Sequence, residues 1–375
     1  MITCSKCILD SNDDPDLTLD ENGVCNYCHE YDMKFKTNVL TGAAAEQKIS
    51  SMVEEIRASK PAGEYNCILG LSGGVDSSYL ALLAKQYDLK PLCLHFDNGW
   101  NSELAVKNIE NIVNKLGFEL ETFVIDWPEF RDLQRAYLQA GVIDIEALTD
   151  HAIFAALYRT AVERNIKYVL SGFNIVTEGI MVKDWTYRKA DYINILDIHE
   201  HYGTIPLKSY PMMNRKMKKK INEWLVTVEL LNWIDYDKNE VKAKLQKELD
   251  WKDYGGKHYE SIFTRFYQAY ILPNKFGVDK RKVHLSNLIC SGQITREAAL
   301  EEMKKPLYDE QQLKIDKEFV LKKLGYTAEE FDEIMNTPPR RHDEFKKEGS
   351  LFYYYPILMP LRSLWERYKK MRGIS

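Results

Sequence analysis

The stretch Ile68-Leu69-Gly70-Leu71-Ser72-Gly73-Gly74-Val75-Asp76-Ser77-Ser78 constrains this chain more than any other. An apolar run ends at Leu71, a polar turn with two glycines follows, and Ser78 to Lys85 reads as a helix. A strand, a tight polar loop and a helix are how a chain aims backbone N–H groups at a phosphate. Gly73 and Gly74 permit close backbone approach, Ser72, Ser77 and Ser78 add hydroxyl donors, and Asp76 can hold a metal ion. The Walker loop, G-x-x-x-x-G-K-[ST], is excluded because no lysine sits in the turn.

Downstream, short apolar strands alternate with helices. Asn66–Leu71, Leu89–Phe96, Glu121–Ile125 and Tyr168–Leu170 read as strands, and the segments between them carry helical periodicity bounded by Gly117, Pro128 and Gly141. This pattern predicts an α/β fold with a parallel sheet covered on both faces. Ligands of such sheets sit beyond the carboxyl ends of the strands. That places His95 and Asp97, and Ser171, Gly172 and Asn174, beside the glycine loop as candidate nucleotide contacts. Between them, Asp144, Glu146, Asp150 and His151 form either a solvated helix entrance or a ligand-facing rim, with Asp150 read as an N-cap on the first alternative. Glu178 can hold magnesium or orient a nucleophile, or lie in an exposed loop.

Cys4-x-x-Cys7 and Cys25-x-x-Cys28 are separated by 17 residues. The spacing matches the four-thiolate zinc pattern, and a module this small needs a metal staple. An iron–sulfur cluster would use the same four thiolates. Cys67 and Cys93 fall in predicted strands, where buried, inert thiols are the rule. The 375 residues carry 51 Lys and Arg against 56 Asp and Glu, a net charge of −5, which disfavours stable nucleic-acid binding. No apolar run approaches ~18 residues, and the N-terminus lacks the apolar core of a signal peptide, so a cytoplasmic protein is expected.

Residues 1–45 are expected to form the cysteine module, 46–205 the nucleotide domain, and 206–375 a mainly helical region that contributes to the substrate site. The last contains Tyr254-Gly255-Gly256-Lys257-His258-Tyr259-Glu260, whose glycines and charged side chains suit an anion, and Lys280 and Arg281, candidates to neutralise a leaving pyrophosphate. The basic run 215–220 opens a helix with an apolar stripe, and 351–371 is an aromatic, basic tail.

Ser72-Gly73-Gly74-Val75-Asp76-Ser77 resembles the PP-loop of the ATP pyrophosphatases, which split ATP between the α- and β-phosphates. With the cysteine module, Asp144–His151, Ser171–Glu178, Tyr254–Ser261 and Asp279–Ala298, the chain resembles, nearly end to end, the N-acetyl sugar amidotransferase family of surface-polysaccharide (O-antigen type) biosynthesis. The resemblance implies an adenine nucleotide alpha hydrolase-like domain and an enzyme that adenylates the acetamido carbonyl of a nucleotide-linked sugar. Ammonia then replaces the oxygen, giving an acetamidino sugar, AMP and pyrophosphate. It implies ATP, Mg2+ and structural Zn2+, with ammonia from a separate glutaminase subunit. On this reading Leu71, Ser72, Gly73, Gly74, Ser77 and Ser78 cradle ATP, Asp76 binds magnesium, Lys257, Lys280 and Arg281 offset developing charge, and His258 and Glu260 meet the sugar. Two other readings are a tRNA-thiolating PP-loop enzyme, disfavoured because Cys67, Cys93 and Cys290 are widely spaced, and a non-catalytic zinc-ribbon adaptor, disfavoured by the intact loop.

Overall fold

The computed structural model describes residues 2–61, 64–255 and 259–349. In the cysteine module, single antiparallel bridges join Thr3 to Asp10 and Leu19 to Cys25. Helix α1 (Asn26–Asn38) starts directly after Cys25. Helix α2 (Gly42–Ala58) buries a stripe of Ala45, Ile49, Val53 and Ile56, the three-to-four spacing of an amphipathic helix.

The sheet is built from β1 (Cys67–Gly70), β2 (Pro91–Asp97), β3 (Glu119–Val124), β4 (Tyr168–Leu170) and β5 (Val226–Val228), in the order β3-β2-β1-β4-β5. Every pair is parallel. Between the strands run α3 (Val75–Gln86), α4 (Glu103–Leu116), α5 (Trp127–Ala140) and α6 (Ala147–Glu163), then α7 (Ile175–Glu178), α8 (Tyr192–Tyr202) and α9 (Arg215–Trp224). Beyond β5 come α10 (Lys238–Leu249), α11 (Ile262–Phe266), α12 (Arg281–Cys290), α13 (Arg296–Met303), α14 (Glu310–Leu324) and α15 (Ala328–Asn336). Strand β5 comes from a stretch whose sequence reads as helical. Three residues are too few to display a strand's alternation.

Alternation along β1 divides the sheet's two faces. Cys67 and Leu69 pack with the buried stripes of α2, α3 and α10. Ile68 packs on the other face with Leu92, Leu94, Val169 and the α6 residues Ala156, Leu157 and Ala161. A third cluster joins the four cysteines and Tyr31 to buried side chains of α5, α8, α11 and α14. Among the described residues no helix is long and apolar enough to cross a membrane.

The chain runs from β1 outward to β3, then returns to place β4 on the other side of β1. The two connections diverge between β1 and β4, and such a divergence opens a crevice at the carboxyl ends of the strands. The glycine loop and Ser171–Asn174 both lie there.

Candidate active site

Strand β1 ends at Gly70 and α3 begins at Val75, with Gly74 as its N-cap. A glycine cap offers no side-chain acceptor to the first-turn N–H groups, an arrangement suited to an anion. Gly73 has φ +79°, and a Cβ there would lie 2.8 Å from the Ala105 carbonyl oxygen. Its own carbonyl accepts from Trp251 Nε1 at 2.8 Å and from the Tyr254 hydroxyl. Ser72 Oγ lies 3.1 Å from Ser77 Oγ and accepts from Gly74 N at 3.2 Å. The loop is thus braced from within and from behind.

Two cavities open on this loop and share Ser72, Ile153, Phe154, Ser171, Gly172 and Glu260. The first, about 410 Å³, is lined by Ser72, Gly74, Asp76 and Ser77 and by the carboxylates of Glu178, Asp253 and Glu260, against Lys238 and Lys242. Asp76 Oδ1 accepts from the Tyr236 hydroxyl and from Asn174 Nδ2 at 3.3 Å. Burial, then the Asp76 carboxylate, push the Tyr236 phenol well above its usual range, so it remains a donor. Asn174 also caps α7 through Thr177 N at 2.9 Å, and Glu178 ends that helix inside the cavity. Several carboxylates beside an anion cradle are hard oxygen donors of the kind Mg2+ takes together with phosphate. Asp76 and Glu178 fit that ion.

The second cavity, about 440 Å³, lies over the ends of β1, β2 and β4. One end is apolar, with Leu94, Phe96, Leu157, Tyr158 and Val169, and suits a purine. His95 stands beside it, with Nδ1 at 3.0 Å from the Leu71 carbonyl and Nε2 at 3.1 Å from Asn101 Nδ2. The other end is polar, with Glu146, Asp150, Lys189, Thr264, Gln268 and Lys280. Lys189 carries no sequence motif. Its ammonium pairs with Asp144 at 2.6 Å and Asp150 at 3.1 Å. Burial opposes its charge, but Asp150 and Asp144 outweigh that and raise its pKa.

Several expected contacts stand elsewhere. Asp150 lies in the first turn of α6, whose N-cap is Glu146, and faces the cavity instead of capping the helix. His151 is fully buried, with Nδ1 at 2.7 Å from the Lys189 carbonyl and Nε2 accepting from Met213 N at 2.9 Å. Both nitrogens are engaged by backbone, so His151 packs behind the wall. Asp144 is also buried behind the wall, beneath Lys189. Burial works against its charge, while Lys189 and Lys280 hold its carboxyl below the usual range. Asp97 turns away from both cavities and accepts from Gly99 N at 2.8 Å. Ser78 is fully buried, without the ligand-facing hydroxyl expected of it. Arg281 is not at the loop: its guanidinium forks onto Asp279 and donates to the Lys305 carbonyl at 2.7 Å. Lys257, His258 and the 351–371 tail lie outside the described residues. Tyr236, Trp251 and Lys189 were missed by sequence reasoning, because each acts through a contact distant in the chain; Tyr254 was named as part of its glycine segment, and its bond to the Gly73 carbonyl was not.

The Sγ atoms of Cys4, Cys7, Cys25 and Cys28 all lie within 4.8 Å of one another. Three of the separations, 3.8, 3.7 and 3.6 Å, match the edge of a regular tetrahedron whose centre would lie about 2.3 Å from each sulfur, the zinc–thiolate distance. Backbone N–H groups of Lys6, Cys7 and Cys25 point at Cys4 Sγ from 3.3–3.4 Å, favouring a thiolate. The quartet fits zinc. Cys290, remote in sequence, lies 3.7 Å from Cys28 Sγ. Cys67 and Cys93 are buried strand thiols, and burial pushes Cys93 up to about 12.

Residues 260–359 match the family model described as LPS biosynthesis protein WbpG-like, C-terminal domain, and residues 45–166 match the NAD synthase model. An uncharacterized protein of Methanocaldococcus jannaschii is 24% identical over 313 residues, 81% of this chain and 93% of its own length. A glutamine-hydrolyzing GMP synthase of Shewanella baltica is 40% identical over 81 residues, 21% of this chain and 15% of its own. An NH3-dependent NAD synthetase from Campylobacter jejuni aligns over 55% of this chain and 93% of that one, at 16% identity and a TM-score of 0.29. The chain thus joins an NAD synthase-like PP-loop domain to a WbpG-like C-terminal domain of lipopolysaccharide biosynthesis proteins.

Proposed function

We propose that the protein is an ATP-dependent, AMP-forming amidotransferase acting on the acetamido group of an N-acetyl sugar in lipopolysaccharide synthesis. One observation carries this reading: the two matched regions face each other across one cavity. Gly70, Leu71, His95 and Asp150 come from the NAD synthase-like region, and Glu260, Thr264, Gln268 and Lys280 from the WbpG-like region. An adenylating half and an acceptor half sharing one chamber suit a reaction between ATP and a sugar.

An amide carbonyl is a poor electrophile, and its oxygen a poor leaving group. Attack of that oxygen on the α-phosphorus of ATP forms an O–P bond and expels pyrophosphate. Ammonia then adds to the activated carbon, and the C–O bond breaks to release AMP and leave the amidine. The chain's task is positioning and charge stabilisation. Ser72, Ser77 and the first turn of α3 hold the β- and γ-phosphates. A bound Mg2+ would offset their charge, and Asp76 and Glu178 would hold it. The apolar slot takes adenine. Lys280, at the border of the polar end, faces charge developing at the α-phosphate. Asp150, its charge partner Lys189 beside it, takes the proton that the attacking ammonia loses.

Nitrogen transfer is favoured over sulfur transfer because no cysteine lines either cavity among the described residues. The reading takes ammonia from a separate glutaminase. The glutamine-hydrolyzing name of the Shewanella relative supports that nitrogen chemistry, though the match covers little of that protein. The test is incubation with ATP, Mg2+, ammonium and a panel of acetamido sugars, free and nucleotide-linked, followed by mass spectrometry. A product in which NH replaces one oxygen, formed with stoichiometric AMP, is expected. AMP formation that requires a thiol donor and tRNA would overturn the reading.

A further inference from the structure

A third cavity, about 560 Å³, adjoins the other two and is lined almost entirely by the C-terminal half of the chain. It shares Gln268 and Lys280 with the adenosine cavity and Lys238 with the phosphate cavity. The loop residues Gly255 and Tyr259 form its near wall, while Tyr254 and Glu260 line the phosphate cavity. The ATP reaction described above uses none of its far residues.

Its charge differs from its neighbours'. The phosphate cavity has four carboxylates against two lysines, the balance of a cation site. The third cavity has Lys238, Lys280, Arg281 and Lys305 against Asp279 and Glu302. Asp279 is committed to the Arg281 fork, and Arg281 is tied to the Lys305 carbonyl. The guanidinium and the Lys305 backbone therefore form one fixed corner. Leu285 and Leu288 follow Arg281 on the same face of α12 and, with Ile294 and Leu307, give the cavity an apolar lining beside that corner. Tyr259, its hydroxyl 3.5 Å from the Leu307 carbonyl, stands as a flat wall. A cavity of this size, with an excess of cations and an apolar lining that includes the Tyr259 ring, suits a ligand with phosphates and a flat base.

We propose that this third cavity binds the nucleoside diphosphate end of the acceptor, so that its sugar passes Lys280 and Gln268 and presents the acetamido group to the adenosine cavity. The inference rests on the amidotransferase reading for what the sugar does, and on the cavity alone for where the diphosphate sits. Lys280 then stands between two anions, the acceptor diphosphate and the α-phosphate of ATP, and couples their binding.

The test is equilibrium binding of UDP, GDP, CDP and dTDP to the full-length protein, with the ATP site saturated by α,β-methylene-ATP and Mg2+. Two variants change the third cavity only: Ala298→Trp, from an exposed position on α13, fills it, and Lys305→Glu, from a surface pair with Glu302, reverses one of its charges. At least one diphosphate is expected to bind alongside the ATP analogue. Both variants should weaken it tenfold or more while changing the analogue's affinity less than twofold. The proposal is overturned if no diphosphate binds once the ATP site is filled, or if binding is unchanged in both variants. Absence of amidine product in the enzymatic assay, with diphosphate binding intact and variant-sensitive, would instead overturn the amidation reading and leave this site standing.

Discussion

Asp76 is visible in the sequence because its motif is local, but the groups that aim it are not. Tyr236 reaches it from 160 positions away and Asn174 from 98. No periodicity reports a contact of that kind, so sequence reasoning could name the carboxylate and not its orientation. Asp76→Asn is expected to lower AMP formation by more than about 100-fold, with an unchanged thermal midpoint. Tyr236→Phe removes one hydrogen bond and is expected to cost about tenfold in kcat, with a raised Mg2+ requirement; a magnesium titration of initial rates measures both. His151 looked like a substrate contact because it follows three acids, Asp144, Glu146 and Asp150, and only the fold reveals its backbone partners. Burial lowers its pKa to about 4, and the buried His342 is lowered likewise. Between pH 6.5 and 4 the unfolded chain binds protons that the folded chain refuses, so stability falls as pH falls through that window. The loss per histidine is up to roughly 3 kcal/mol. Urea unfolding across pH 4–7 should show this slope, and His151→Asn should lessen it, leaving the share that His342 contributes.

Elements were legible where both ends carry local chemistry. Helix α4 runs Glu103–Leu116, capped by Ser102 Oγ and ended by Gly117 at φ +68°, the glycine that bounds it in the sequence. Helix α15 opens with a capping box, in which Thr327 Oγ1 accepts from Glu330 N and the Glu330 carboxylate accepts from Thr327 N, a pairing the T-x-x-E spacing encodes. Helix α6 was placed late because Thr149-Asp150 resembles a cap, yet Ala147 and Leu148 are buried and draw the first turn forward. The strand–loop–helix unit is the most constrained element. Gly73, at φ +79°, turns its carbonyl to Trp251 and Tyr254 while its Cα lies close to the Ala105 carbonyl. Gly73→Ala meets both a positive φ and a backbone oxygen. A cost of about 1–3 kcal/mol follows, with ATP affinity falling because the loop must move. Thermal unfolding with and without ATP separates the two: the ATP-induced rise in midpoint should shrink in the variant.

Across the whole molecule, helix α12 carries most of the bonds between the cysteine module and the cavities. Lys280 immediately precedes α12 and lines two cavities. Cys290 ends that helix 3.7 Å from Cys28 Sγ. Between these ends, Lys282 pairs with Asp10 and Asp13 at 2.8 Å, and Ser286 Oγ accepts from Ile8 N at 3.5 Å. Arg296, on the next helix, donates to the Cys7 carbonyl at 2.9 Å. A helix of ten residues spans about 15 Å, so the module acts as an abutment for a strut whose far end carries Lys280. The module also touches the ATP side, where Lys34 Nζ donates to the Gly179 carbonyl at 2.9 Å beyond α7, but by fewer bonds. On the proposed function, a metal held by the quartet would bear on the Lys280 end of α12 through more bonds than on α7. Removing zinc with a strong chelator should lower the thermal midpoint, because metal binding is folding free energy in a module this small. At temperatures where the chelated protein remains folded, the acceptor KM should rise several-fold more than the ATP KM. Cys28→Ala should reproduce both effects, and Cys290→Ala, which leaves the quartet whole, should retain zinc and show only a small rise in acceptor KM. Equal losses for ATP and acceptor would mean that α12 does not carry the coupling.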